Sequence, residues 1–263
     1  MDKIRMRTNA GSINLRVTTK DDSPCELWNG GKKIAELQSD NKENIAVQNK
    51  AEEIIIKGYD IQELGCQYNQ LTTLNASGCT SLQWLYCYNN QLTTLNVSGL
   101  TSLEVLSCFN NQLTSLAVSG LTSLQWLDCY DNQLTTLNAS GLTSLRRLSC
   151  FRNQLTALDV SSCTSLQWLY CSNNQLTTLN ASGCTSLQVL GCEYSPFTAE
   201  DLKKLFEDLP ERKEKDGGVL LYKDGDSNYK DFTQPPELAA AFKAAKAKGW
   251  RLYKINNDDL MEL

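Results

Sequence analysis

Between residues 61 and 197 the apolar positions of the chain recur with a fixed period. Leucine or isoleucine opens a unit at Ile61, Leu82, Leu103, Leu124, Leu145, Leu166 and Leu187, a spacing of 21 residues. One unit, Leu82 to Ser102, reads LQWLYCYNNQLTTLNVSGLTS. Positions one, four and six are apolar, then eleven, fourteen, sixteen and nineteen; the positions between them are mainly polar. The opening LxxLxC predicts a strand with residues one, four and six turned inward. Asparagine at nine (Asn69, Asn90, Asn111, Asn132, Asn153 and Asn174) predicts a turn whose side-chain amide bonds backbone left unpaired at the strand end. The Ser-Gly-x-Thr-Ser corner is too short and turn-rich for an α-helix, so the return side of each unit is expected to be extended or 3₁₀. Self-similarity of this kind marks stacked rungs, each burying its apolar columns against its neighbours.

The flanks carry other patterns. Over residues 1–60 six short alternating runs (at Ile4, Ile13, Glu26, Ile34, Ile45 and Ile54) are separated by turn signals, Asn29-Gly30 among them. They predict a small antiparallel β cap that covers the apolar end of the first rung, with Ile54–Ile56 leading straight into the array. Trp28 is the one lead to a ligand site in this cap. Beyond Phe197, Thr198 and Asp201 form an N-cap pair for a helix from Ala199 to Leu209. A strand at Val219–Tyr222, a helix from Glu237 to Lys248 opened by Pro235-Pro236 and stopped by Gly249, and a strand at Trp250–Ile255 follow. Strand–helix–strand order predicts two more parallel strands backed by helices. Lys243, Lys246 and Lys248 read as a solvated helix face. The expected organisation is an α/β chain in three parts. Residues 1–60 form a β-rich N-terminal cap, 61–197 a leucine-rich-repeat solenoid with a curved parallel sheet, and 198–263 an α/β C-terminal cap.

Charge follows the same division. Of 25 basic and 30 acidic residues, the array holds only Arg146, Arg147, Arg152, Glu63, Glu104, Asp128, Asp131, Asp159 and Glu193. A net charge of −5 supplies no basic field for nucleic acid. No apolar run is long enough to span a bilayer, and Met1-Asp2-Lys3-Ile4-Arg5 does not read as a signal peptide, which points to a cytosolic chain or one whose leader has been removed.

Histidine is absent and cysteine numbers eleven. Cys66, Cys87, Cys108, Cys129, Cys150, Cys171 and Cys192 share one column; Cys79, Cys163 and Cys184 share another with Leu100, Leu121 and Leu142. Exchange with leucine marks a small hydrophobe. Equivalent Cβ atoms on adjacent rungs lie about 4.8 Å apart, too far for a disulfide. Buried free thiols are therefore expected. Without histidine or a CxxC pair, neither a zinc site nor an activated nucleophile is expected. Asp224-Gly-Asp-Ser-Asn228 lacks the rest of a calcium loop. No cofactor, metal or catalytic residue is assigned, and the chain is expected not to be an enzyme.

The irregular columns point away from the core. Position three carries Trp84, Trp126, Arg147 and Trp168; position five Tyr86, Asp128 and Tyr170; position seven Tyr88, Phe109, Tyr130 and Phe151. These eleven residues are the candidate ligand-binding set, since aromatic residues and arginine dominate binding hot spots. Arg147 falls between Trp126 and Trp168 in its column, within cation–π reach. Strand preference and ancestry compete with binding as causes of this pattern. Aromatics suit strands in any case, and even rungs sharing Gln-Trp-Leu with odd rungs sharing Ser-Cys-Phe indicate duplication of a two-rung unit.

The repeat LxxLxCxxNQLTxLxxSxxTS resembles the cysteine-containing leucine-rich repeats of internalin J and of Bacteroidetes surface proteins, over residues 61–197. The resemblance implies a curved parallel-β solenoid, unpaired buried thiols, and adhesion or protein binding at a bacterial surface, though neither the leader nor the wall anchor of internalin-type proteins is visible. The expectation is a monomeric, non-enzymatic module that binds a protein partner, such as one of a host or cell surface, outside the cell through the aromatic face. Carbohydrate binding on the Trp and Tyr rings, or a purely structural scaffold, are the alternatives.

Overall fold

The computed structural model describes residues 1–47, 52–212, 217–223, 229–256 and 259–263; the Asp224–Asn228 stretch lies outside them. The chain forms two compact units, Met1–Gln133 and Leu134–Leu263, so the division falls inside the repeat array.

In the first unit all six alternating runs become strands: β1 (Asp2–Thr8), β2 (Ser12–Thr19), β3 (Cys25–Asn29), β4 (Lys32–Leu37), β5 (Lys42–Ala46) and β6 (Ile54–Gly58). They pair antiparallel. The β3–β4 hairpin turns on Gly30 and Gly31 at φ 56° and 76°, the left-handed pair that a two-residue turn of matching twist requires. The rungs follow as β7 (Ile61–Gly65), β8 (Leu71–Asn75), β9 (Trp84–Tyr86), β10 (Thr94–Asn96), β11 (Val105–Ser107) and β12 (Trp126–Asp128). β7, β9, β11 and β12 are parallel in one register, with Leu64, Leu85, Leu106 and Leu127 in line. A second parallel pair, β8 and β10, runs along the return side.

The cap closes both edges of the first rung. β2 pairs with β7 (Val17 opposite Leu64) and β1 with β8 (Met6 opposite Leu74), both antiparallel. Ile54–Ile56 does not simply lead into the array: β6 is a central cap strand between β1 and β3, and the chain enters the first rung through a tight turn at Asp60. Trp28 is already occupied. Lys57 Nζ lies 3.6 Å over its ring and its Nε1 donates to Glu26 at 2.9 Å.

In the second unit the rungs are β13 (Arg147–Ser149), β14 (Ala157–Asp159), β15 (Trp168–Tyr170), β16 (Thr178–Asn180) and β17 (Val189–Gly191). Helix α1 (Ala199–Asp208), β18 (Gly217–Lys223), α2 (Pro236–Ala247), β19 (Trp250–Asn256) and β20 (Asp259–Glu262) complete it. β13, β15, β17, β18 and β19 are parallel, which is the crossover the sequence predicts. The sequence pattern misses β20, an antiparallel edge strand with every residue exposed and hence no burial pattern to betray it. Thr198 and Asp201 form the capping box of α1, which buries Leu202, Leu205 and Phe206.

Lys248 corrects one expectation. It is not part of a solvated face: its Nζ donates to the carbonyls of Phe206, Glu207 and Leu209 at 3.3, 2.8 and 2.8 Å, at the C-terminal end of α1. A cation there meets carbonyls that the helix itself leaves unpaired. The return side is extended, as strands of three to five residues and turns; no 3₁₀ segment occurs among the described residues.

Candidate functional site

The asparagine column fixes the spacing on which the outward face is built. Asn111 Nδ2 donates to the carbonyls of Cys108 and Phe109 in its own rung and of Cys87 in the rung before. Its Oδ1 accepts the N–H of Leu92, again in the preceding rung, at 2.9 Å. Asn132 and Asn174 repeat the pattern, on Leu113 and Leu155. Asn69 has no rung before it and uses the cap instead: its Oδ1 accepts from Asn14 N and its Nδ2 donates to Asn14 O, each at 2.6 Å. Ser195 stands in this column at the last rung, and its buried hydroxyl has no partner among the described residues.

Position eight of every rung is left-handed: Tyr68, Asn89, Asn110, Asp131, Arg152, Asn173 and Tyr194 have φ between 50° and 61°. Asn and Asp tolerate this conformation; a bulkier side chain is strained there by about 1–2 kcal/mol. The Asn-rich column was the signal, and it turns side chain seven along the face at each rung.

In the first unit Trp84, Tyr86, Tyr88, Phe109, Asp128 and Tyr130 are half-buried, and only Trp126, 48% exposed, stands clear. Tyr88, Phe109 and Tyr130 form a stack with centroids 4.5 and 4.4 Å apart and planes within 7°. Tyr68 meets the end of this stack edge-on at 5.6 Å. The rings thus cover one another's faces and present their edges. In the second unit Arg147, Phe151, Trp168 and Tyr170 are half-buried. Arg147 lies over the Tyr170 ring at 5.6 Å and its Nε donates to Ser149 at 3.3 Å.

The candidate strip is thus a half-buried surface on which, of the eleven residues, Trp126 is the exposed one. The cause is the alternation of size in column five. Tyr86 and Asp128 flank Ser107, and Tyr170 lies between Ser149 and Gly191, so large side chains settle over small ones. Ser107 and Ser149 are consequently buried.

The second unit also carries a feature that the sequence pattern does not predict, a hollow of about 670 Å³ on the same face. Gly191 and Gly218 form its floor, and Phe151, Tyr170, Tyr253 and Leu260 its walls. A run of missing side chains in columns three and five was the available signal, but β18 and β19 had first to be placed in register with the rungs.

All eleven thiols are buried and none is in a disulfide. Burial alone raises the Cys66 thiol, and it is the first cause for Cys150, pushed up to about 12, and Cys163, to about 11. They are held as neutral core groups, unsuited to nucleophilic work.

Comparison with known proteins follows the same lines. Models of leucine-rich repeats match residues 80–121, 122–162 and 165–187. The functional domain of InlJ from Listeria monocytogenes, which includes a cysteine ladder, is 36% identical with a TM-score of 0.48, covering 51% of this chain and 30% of that one. This chain thus spans less than a third of that structure. The leucine-rich-repeat domain of a Shigella effector is 21% identical with a TM-score of 0.55, over 75% of this chain and 83% of that one, a likeness of fold. The Leptospira interrogans leucine-rich-repeat protein LIC12759 is 27% identical with a TM-score of 0.44, covering 56% and 47%. No curated protein matches the chain. The 21-residue rungs, with their parallel strands and column of buried thiols outside any disulfide, are leucine-rich repeats with a cysteine ladder.

Proposed function

We propose that the chain is a non-enzymatic binding module, displayed outside the cell, that recognises a protein partner through the outward columns of its sheet. On this basis residues 1–60 and 198–263 are caps, and residues 61–197 carry recognition. The observation that carries it is Trp126, a large ring 48% exposed amid half-buried aromatic and charged neighbours. A ring so placed offers apolar area at little entropic cost, the pattern of an interface anchor. Asp128, two residues along the same strand, supplies a polar contact that sets orientation.

The stacked rings bear on the carbohydrate alternative for this strip. A sugar stacks on a ring face, and the faces between Tyr88, Phe109 and Tyr130 are covered by one another. Ring edges suit the irregular apolar surface of a protein better.

The test is affinity capture from host-cell extract, with the captured protein identified, purified and titrated directly against wild type and Trp126→Ala. The expected result is direct binding weakened about tenfold or more by the substitution, with thermal stability unchanged. Glycan binding that depends on Trp126 would overturn the proposal, as would equal binding by both forms.

A further inference from the structure

The hollow lies within the second unit and takes in Phe151 and Tyr170 of the candidate set, but its chemistry differs from that of an exposed ring such as Trp126. Its floor exists because two outward positions carry no side chain. Gly191 follows Tyr170 in register in column five, and Gly218 lies beside Val189 in column three. A Cβ built on Gly191 would lie 3.5 Å from Tyr170 Cδ1, and one on Gly218 would lie 3.5 Å from Tyr253 Cε2. Each tyrosine therefore reaches across the edge of a glycine. Neither glycine has a positive φ, so backbone conformation does not demand them. Their absence of a side chain is what keeps the space open.

One wall is held in place: Arg147 lies over the Tyr170 ring at 5.6 Å. Around the apolar floor run groups that make directional hydrogen bonds: Arg152, Ser172, Asn173 and Glu193. Arg152 occupies a left-handed position (φ 51°) that Asn or Asp fills in four other rungs.

We propose that this hollow binds a neutral saccharide ring. The volume of about 670 Å³ falls within the range of small-ligand sites. A pyranose is apolar on its C–H faces and hydroxylated around its rim, which matches tyrosine walls over a glycine floor with a polar margin. Unlike the stacked rings of the first unit, these tyrosines border empty space. A cationic ligand fits poorly, because guanidinium groups already lie against Tyr170 and Phe151, the latter at 6.0 Å.

The experiment uses the full chain and saturation-transfer NMR with glucose, galactose, mannose and N-acetylglucosamine, alone and as disaccharides, followed by titration. At least one binds, its ring protons taking up magnetisation from tyrosine. Gly191→Val weakens that binding about tenfold or more by filling the floor, and Tyr170→Leu does the same by removing a wall. Gly191→Ala, whose added carbon meets only ordinary contacts, serves as the milder variant should the valine disturb folding. Trp126→Ala leaves sugar binding unchanged, which separates this site from the proposed protein-binding strip. Absence of binding by every sugar overturns the proposal. So does sugar binding that survives both Gly191→Val and Tyr170→Leu, or occupation of the hollow by indole or phenol but by no sugar.

Discussion

The ammonium of Lys248 donates to the carbonyl oxygen of Leu209 at 2.8 Å, tying the end of the second helix of the C-terminal region to the end of the first. Two further carbonyls, of Glu207 and Phe206, share the same nitrogen. Lys248→Met keeps the aliphatic stem and removes the charge. It is expected to lower stability by about 2 kcal/mol, read as a shift in the urea midpoint. Lys243→Met, on the same helix, is the comparison; equal effects of the two would show that Lys248 is no cap.

The asparagine ladder predicts a larger loss. Asn132→Ala leaves the N–H of Leu113 and the carbonyls of Cys108 and Cys129 without their partner in a buried turn. The expected cost is about 3–5 kcal/mol, since each buried group left unsatisfied costs about 1–3 kcal/mol. Asn132→Asp is no rescue, because a carboxylate cannot donate to those carbonyls. Asn96→Ala removes only an exposed bond to Ser98 N and is expected to cost under about 1 kcal/mol. Guanidinium titrations of the three variants check the order.

Arg152→Asn is expected to stabilise the fold by about 1 kcal/mol, by putting a residue that tolerates φ 51° where arginine is strained. If the hollow binds sugar, the same substitution weakens that binding. A gain in melting temperature together with a loss of affinity is the paired outcome to look for.

The thiols make stability fall at alkaline pH. An ordinary cysteine deprotonates near 9.0, whereas burial moves Cys163 to about 11 and Cys150 to about 12. Between those values the folded chain binds more protons than the unfolded chain, so stability decreases as pH rises. The stabilising contribution is complete below pH 9 and is lost progressively through the folded values, at up to about 1.4 kcal/mol per thiol per pH unit. Denaturant midpoints at a series of pH values from neutral to 11 should show the decline, and a flat profile would contradict it. At neutral pH, alkylation should modify the cysteines only after unfolding.

Much of the fold was legible in the sequence because a repeated apolar column has one meaning. Leu85, Leu106 and Leu127 recur at one spacing, and a residue that recurs in every rung must meet its own copies. The capping pair Thr198 and Asp201 and the left-handed Gly30-Gly31 turn were equally local. What escaped depended on partners distant in sequence. Lys248 looks like any exposed helix lysine until the end of α1 is placed beside it. The hollow is invisible until Gly218 comes into register with Val189, and Tyr253, across Leu220, with Gly191. The half-burial of Tyr86 and Tyr170 was lost for a related reason: alternation along one strand says which way a side chain points, and says nothing of how far its neighbours on adjacent strands lean over.

The asparagine bonds have a direction. Asn111 and Asn132 each complete the rung before their own, and Asn69 does the same for a strand of the cap. During synthesis, a rung leaves the ribosome with one backbone donor unmet, and that donor is satisfied only when the following asparagine has been made. Folding of the array therefore trails elongation by a single turn, about 1–4 seconds at ordinary rates of translation. A chain stalled partway would expose one incomplete rung, however many had already been laid down behind it.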